Sequence, residues 1–261
     1  RGLVFVSAAY RGEPFRPGIG RAQVQVWQAA DPTAAPQSLS LFGRKPRALA
    51  VSPDGLTVWA AIFQSGNGTA AMHEDLVLQT GGMPEPGLPV LTTATPPRTG
   101  LIVKGAGGRW LDANGQERKE AVAFSLPDFD LFRIDASGAV PKEAGRYKGA
   151  GTLLFNLAVQ PGSGAVWLSN AEARNSTRFE PRLRGQAYSQ RISRLVGERF
   201  QISPLNPEEG RAAGPAAQSV RDAALSQPLD IAFRADGSLA YVAAFQSAKV
   251  GVLDGQGRVV G

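Results

Sequence analysis

The chain has 261 residues, 43% of them hydrophobic and 19% charged, which is enough apolar material for one large core or two modest ones. It holds no cysteine and one histidine, so a disulfide, a zinc ribbon, an iron–sulfur cluster, covalently attached haem and a multi-histidine metal centre are excluded within it, and a serine triad would have to use His73. The formal net charge of +6 rests mainly on scattered arginines that do not alternate with aromatics, which argues against nucleic acid as a partner.

The 31 glycines and 19 prolines favour short strands and turns over long helices. No stretch approaches the ~20 apolar residues of a membrane span. The chain opens at Arg1-Gly2-Leu3 with neither Met nor a leader pattern, and the numbering is therefore expected to describe a mature or excised segment.

Residues 4–8 read as a degenerate strand, and residues 23–27 alternate polar and apolar as a half-exposed strand does. Residues 46–65 form an apolar strand, a turn at Asp54-Gly55 and a second strand that carries Trp59 and ends in Phe63-Gln64-Ser65. An insertion follows over 66–125. Its Pro84, Pro86, Pro89, Pro96 and Pro97 suit an extended segment wrapped over the surface, with a small hairpin holding Trp110 near Asp112-Ala113-Asn114-Gly115. Such a segment serves as structural wrapping, as an interaction arm or as a channel lid.

Residues 130–135 are again an alternating strand, and residues 155–170 repeat the hairpin with a Gly162-Ser163-Gly164 turn and Trp167 in the place of Trp59. A second insertion spans 170–190, followed by an alternating strand at 191–195. Residues 228–247 match 46–65 without a gap, from the Asp236-Gly237 turn to the closing Phe245-Gln246-Ser247, and an alternating strand at 249–253 completes the unit.

A hairpin plus a third strand, recurring, is the sequence form of a β-propeller blade. The chain therefore reads as one all-β domain over 1–261 with about four visible blades, part of a seven- or eight-bladed ring or else an unusually small ring closed by a shared blade. The near-continuous apolar first strands are expected at the buried inner positions, and the recurring Phe-Gln-Ser is expected to pack its Phe between blades.

Residues 46–55, Pro-Arg-Ala-Leu-Ala-Val-Ser-Pro-Asp-Gly, with the later Tyr241-Val242-Ala243-Ala244-Phe245, resemble the YVTN-repeat family of bacterial β-propellers over most of the chain. The stretches 166–180, 99–104, 110–112 and 126–130 are similar to segments of large secreted or periplasmic members, which often accompany c-type cytochrome or di-haem peroxidase-like modules. The resemblance implies an exported protein, periplasmic or extracellular, that engages a partner protein or redox module and is not catalytic by itself. Haem would then belong only to a longer parent or a partner, since Cys-x-x-Cys-His is absent here. The alternative is a hydrolase like the propeller lactonases, in which a central Ca²⁺ polarises a substrate carbonyl at the channel.

The most polar cluster directly after a core strand is Asn170, Glu172, Arg174, Asn175 and Arg178, the expected ligand-binding set. Asn170, Glu172 and Asn175 offer hard oxygens for Ca²⁺, whereas Arg174 and Arg178 offer forks for a carboxylate or phosphate. An internal Glu–Arg network fixing the long loop is the competing expectation. Asp128 and Asp130 are spaced for one face of a strand, where a turn entering the strand is favoured over paired acid–base work. His73 reads as a solvent-exposed loop residue.

Overall fold

A computed structural model of the chain describes residues 2–8, 22–83, 98–119, 122, 128–173, 188–206 and 217–261. Strands β1 (Leu3–Ala8), β2 (Ala22–Gln28) and β3 (Gln37–Leu41) form a first antiparallel sheet in that order. Next come β4 (Pro46–Val51) and β5 (Thr57–Ile62), joined by a turn in which Gly55 takes a φ of +69° and Asp54 Oδ1 accepts the Leu56 N–H at 2.9 Å. Glycine adopts that backbone without a Cβ penalty.

Within the first insertion, β6 (Thr69–Met72), β7 (Leu101–Ala106) and β8 (Arg109–Leu111) make a small sheet of their own beside helix α1 (Glu74–Gln79). Met72, Val77, Leu101 and Val103 form its core, with Trp110 packed against them. The insertion is thus more than wrapping: Leu101 and Val103 alternate inward on β7 and close a satellite core with Met72 of β6 and Val77 of α1. The five prolines named above lie outside the described residues. The chain then returns to complete the second sheet with β9 (Leu131–Asp135) and β10 (Lys142–Tyr147), in the order β10-β9-β5-β4.

The third sheet is β11 (Leu153–Val159), β12 (Val166–Ala173), β13 (Tyr188–Val196) and β14 (Arg199–Pro204), again a simple meander. Short helix α2 (Gln218–Ala223) precedes the fourth sheet of β15 (Pro228–Phe233), β16 (Leu239–Ala244) and β17 (Lys249–Asp254). Residues 258–261 fold back along β17, where Asp254 N donates to Arg258 O at 2.9 Å and Val260 N to Val252 O at 2.8 Å. No described helix is long and apolar enough to cross a membrane.

The four main sheets are blades of a β-propeller. Edge strands β4, β11 and β15 lie side by side, and apolar faces meet between consecutive blades. Val24, Leu41, Ile62 and Phe132 fill the first junction, Leu131, Leu154, Leu157 and Leu168 the second, and Trp167, Ile192, Val242 and Leu253 the third. The inner strands are not the most buried ones. β12 is buried from Val166 to Ala171, whereas β4 and β15 are each buried at only two of six residues and β4 leaves Val51 57% exposed. A second strand is covered on both faces by neighbouring blades, while an innermost strand borders the propeller axis with one edge unpaired.

Phe-Gln-Ser behaves differently in its two copies. Phe63 stacks on Phe155 of the next blade at 6.2 Å, Leu154 N donates to Phe63 O at 3.1 Å, and Ser65 Oγ donates to Gly151 O at 2.6 Å. In the fourth blade the same motif forms a 3₁₀ turn, and Phe245 is 70% exposed. The expected packing between blades therefore holds for Phe63 and fails for Phe245, which has no following described blade to lie against.

Candidate functional site

Strand β12 ends at the rim of the third blade, and its alternating side chains divide two environments. Asn170 and Glu172 point toward the second blade and the inserted sheet. Asn170 is fully buried; its Oδ1 accepts from Arg191 Nε at 3.0 Å, and its Nδ2 donates to Leu168 O and Ser193 Oγ. Glu172 Oε1 accepts from Lys104 Nζ at 2.5 Å, and Oε2 accepts from Asn67 Nδ2 at 2.7 Å, Arg191 Nη2 at 3.0 Å and Thr152 Oγ1 at 3.1 Å. Glu172 thus ties the insertion, through Asn67 and Lys104, to the third blade. Arg174, Asn175 and Arg178 lie outside the described residues.

Beside this cluster Asp130 immediately precedes β9 and has no exposed surface. Its Oδ2 accepts the Ala150 N–H at 2.7 Å, and its Oδ1 has no hydrogen-bond partner. Burial pushes its carboxyl up from the usual carboxylate range to about 6, against the lowering effect of nearby donors. Arg191 is drawn down from its ordinary value by burial, with the Glu172 and Asp130 charges opposing that shift. Asp128 does not share the pocket of Asp130; its Oδ1 accepts the Gly68 N–H at 2.8 Å. His73 is the exposed N-cap of α1, accepting from Asp75 N at 3.3 Å. Among the described residues no three carboxylate or histidine side chains converge as a metal ion needs. The Asn170–Glu172 pair has its oxygens committed to internal donors, so the described part of the expected set does not fit Ca²⁺.

The opposite face of β12 lines a cavity of about 470 Å³. Antiparallel meanders bring the end of β5, the start of β11, the end of β12, the start of β13 and both termini of the β15–β16 hairpin to one rim. There Phe63, Phe155, Tyr188, Gln190, Gln227 and Gln246 surround the space, above a floor that includes Ala171 and Ala173. Thr152 joins them from the edge of the Glu172 cluster. Among the described residues none of the lining side chains is charged. Gln190 is 8% exposed and its Oε1 lacks a hydrogen-bond partner, while Gln246 Oε1 accepts from Ser226 Oγ at 2.9 Å. Arg47 sits over the Phe63 ring at 4.9 Å and stiffens that wall.

Sequence reasoning assigned Phe63 a packing role between blades and no cavity role to Gln246 or the other four. The available signal was the recurrence of Phe-Gln-Ser where second strands leave the core; two of its copies converge on this rim. A second, more polar cavity of about 570 Å³ lies at the other end of the blades, where Trp59, Tyr147, Arg133 and Arg194 meet. Arg194 is engaged there structurally: its guanidinium lies 5.3 Å from the Trp167 ring and donates to Gly255 O and Gln201 Oε1.

No protein-family model matches this chain, and no curated protein does. Among solved structures, the hydrazine synthase of Kuenenia stuttgartiensis is similar at 12% identity over 89% of this chain and 70% of its own, with a TM-score of 0.37. The periplasmic gluconolactonase of Pseudomonas aeruginosa is similar at 12% identity over 98% and 66%, with a TM-score of 0.32. A putative 6-phosphogluconolactonase of Bacteroides uniformis is similar at 11% identity over 100% and 95%, with a TM-score of 0.28. At these TM-scores the likenesses carry no argument of their own, and the propeller architecture rests on sheet order and blade packing.

Proposed function

We propose that the chain is the binding module of an exported β-propeller protein of YVTN-repeat type, non-catalytic by itself, and that it holds its ligand or partner in the cavity between Phe63, Phe155 and Gln190. The observation that carries this reading is a concave space of about 470 Å³ lined, among the described residues, by aromatic and uncharged polar side chains, the usual make-up of a binding pocket. The periplasmic or extracellular location, and a partner protein or redox module as the larger context, rest on the family resemblance. The lactonase reading draws no support from the described residues, because their carboxylates are dispersed or paired internally.

Filling the cavity tests the proposal. Ala173→Trp places an indole in the space, and a library of uncharged fragments is followed by ligand-observed NMR against both proteins. Fragments are expected to bind the wild type and to be lost from the filled variant. A library that binds both proteins equally, or neither, overturns the cavity as the binding site. Calcium-dependent hydrolysis of glucono-δ-lactone by the wild type would overturn the non-catalytic reading.

A further inference from the structure

From the chemistry of the lining we infer that the cavity takes a neutral saccharide, free or carried on a partner. This rests on the cavity being the binding site and names what enters it. Three primary amides face one space from three different elements: Gln190 on β13, Gln227 before β15 and Gln246 after β16. Each amide carries donors and an acceptor in one plane, so the three together match groups that donate and accept from the same atom, as sugar hydroxyls do.

Phe63 and Phe155 supply flat apolar surface with ring centres 6.2 Å apart, and Tyr188, 51% exposed, supplies more at the mouth. A pyranose has the complementary shape, with apolar C–H faces and a polar hydroxyl edge. Among the described residues that line the cavity there is no cation to meet a carboxylate or phosphate and no carboxylate to meet an amine; the Arg47 guanidinium lies over the Phe63 ring. The nearest guanidinium on the same strand, Arg191, is spent on Asn170, Ala150 and Glu172 on the other face. The described lining side chains offer a charged ligand no ion pair in return for its lost hydration, which favours a neutral one. The Oε1 of the nearly buried Gln190 is a lining acceptor without a donor among the described residues and is relieved by a ligand hydroxyl.

Saturation-transfer NMR followed by calorimetry tests the inference, with glucose, galactose, maltose, cellobiose and N,N′-diacetylchitobiose as neutral probes. Glucuronate serves as the charged counter-probe and N-acetylated dipeptide amides as the non-sugar one. At least one neutral saccharide is expected to bind the wild type, to lose about tenfold or more in affinity with Gln190→Leu, and to be lost with Ala173→Trp. Gln190→Leu is expected to melt no lower than the wild type, since it removes an unpaired buried oxygen, so lost binding is separable from lost folding. Absence of neutral-sugar binding overturns the inference, as does glucuronate binding equally well or sugar binding that ignores both substitutions. Dipeptide amides that bind the wild type but not Ala173→Trp, without any sugar binding, would refute the saccharide and leave the cavity as the binding site; no probe lost on filling refutes both.

Discussion

Asp130 is a carboxyl with no exposed surface and one partnered oxygen, and its ordinary value near 3.8 is raised to about 6 by burial. The folded protein therefore binds more protons than the unfolded chain between about pH 4 and pH 6, so stability falls as pH rises through that window. The effect amounts to up to roughly 3 kcal/mol between the two ends, from the size of the shift. Asp54, Asp135 and Asp254 have lowered values, and the stability they contribute is lost only on acidification below the ordinary aspartate range. Urea melts at pH 4.5 and pH 7 should show the wild type more stable at the lower pH, and Asp130→Asn should flatten the difference; a slope that survives the substitution would assign it elsewhere. Exposure decides a second contrast. Trp167, fully buried with Phe233 edge-on at 5.0 Å, should lose ~3–5 kcal/mol on truncation to Ala, whereas Phe245→Ala should cost less than about 1 kcal/mol.

The blades were legible because their signals are local. An apolar alternation, an Asp-Gly turn and a second strand can each be read within twenty residues, and β4–β5, β11–β12 and β15–β16 lie where those signals put them. The small sheet of β6, β7 and β8 was not legible, because β6 pairs with β7 across 28 intervening residues rich in proline. The cavity was hidden for a related reason: Phe63, Phe155, Gln190 and Gln246 are brought together only by the registers of three blades, and no spacing along the chain marks them. Glu172 stood out as polar in the sequence, yet two of the donors that occupy it, Lys104 and Asn67, come from the insertion. The repeated Asp-Gly turns also separate turn conformation from packing between blades. Gly55 and Gly237 share positive φ values of +69° and +71°, but a Cβ at Gly55 meets open space and one at Gly237 strikes the Pro161 carbonyl of the neighbouring blade. Gly55→Ala should therefore cost about 1 kcal/mol in denaturant melts, from backbone strain alone, and Gly237→Ala clearly more. Equal losses would show that the third and fourth blades are free to separate at that turn.

Across the whole molecule, the apolar clusters join first blade to second, second to third and third to fourth, and among the described residues no cluster joins fourth to first. Stability in such an array is close to a sum of blade terms and nearest-neighbour interface terms, so elements with two covered faces should open last. The second and third blades have two such interfaces; the first has one, and only three described strands. Native-state hydrogen exchange should accordingly find the slowest amides in β5, β9, β12 and β13, and faster exchange throughout β1–β3. The inserted sheet supplies an internal control. It is held to the third blade through Lys104 and Asn67 on Glu172, so Lys104→Met should speed exchange in β6 and β7 while leaving β12 and β13 protected. Equal protection in all four blades would instead require coupling between first and fourth, because only a closed ring gives every blade two neighbours and lets it unfold as one unit.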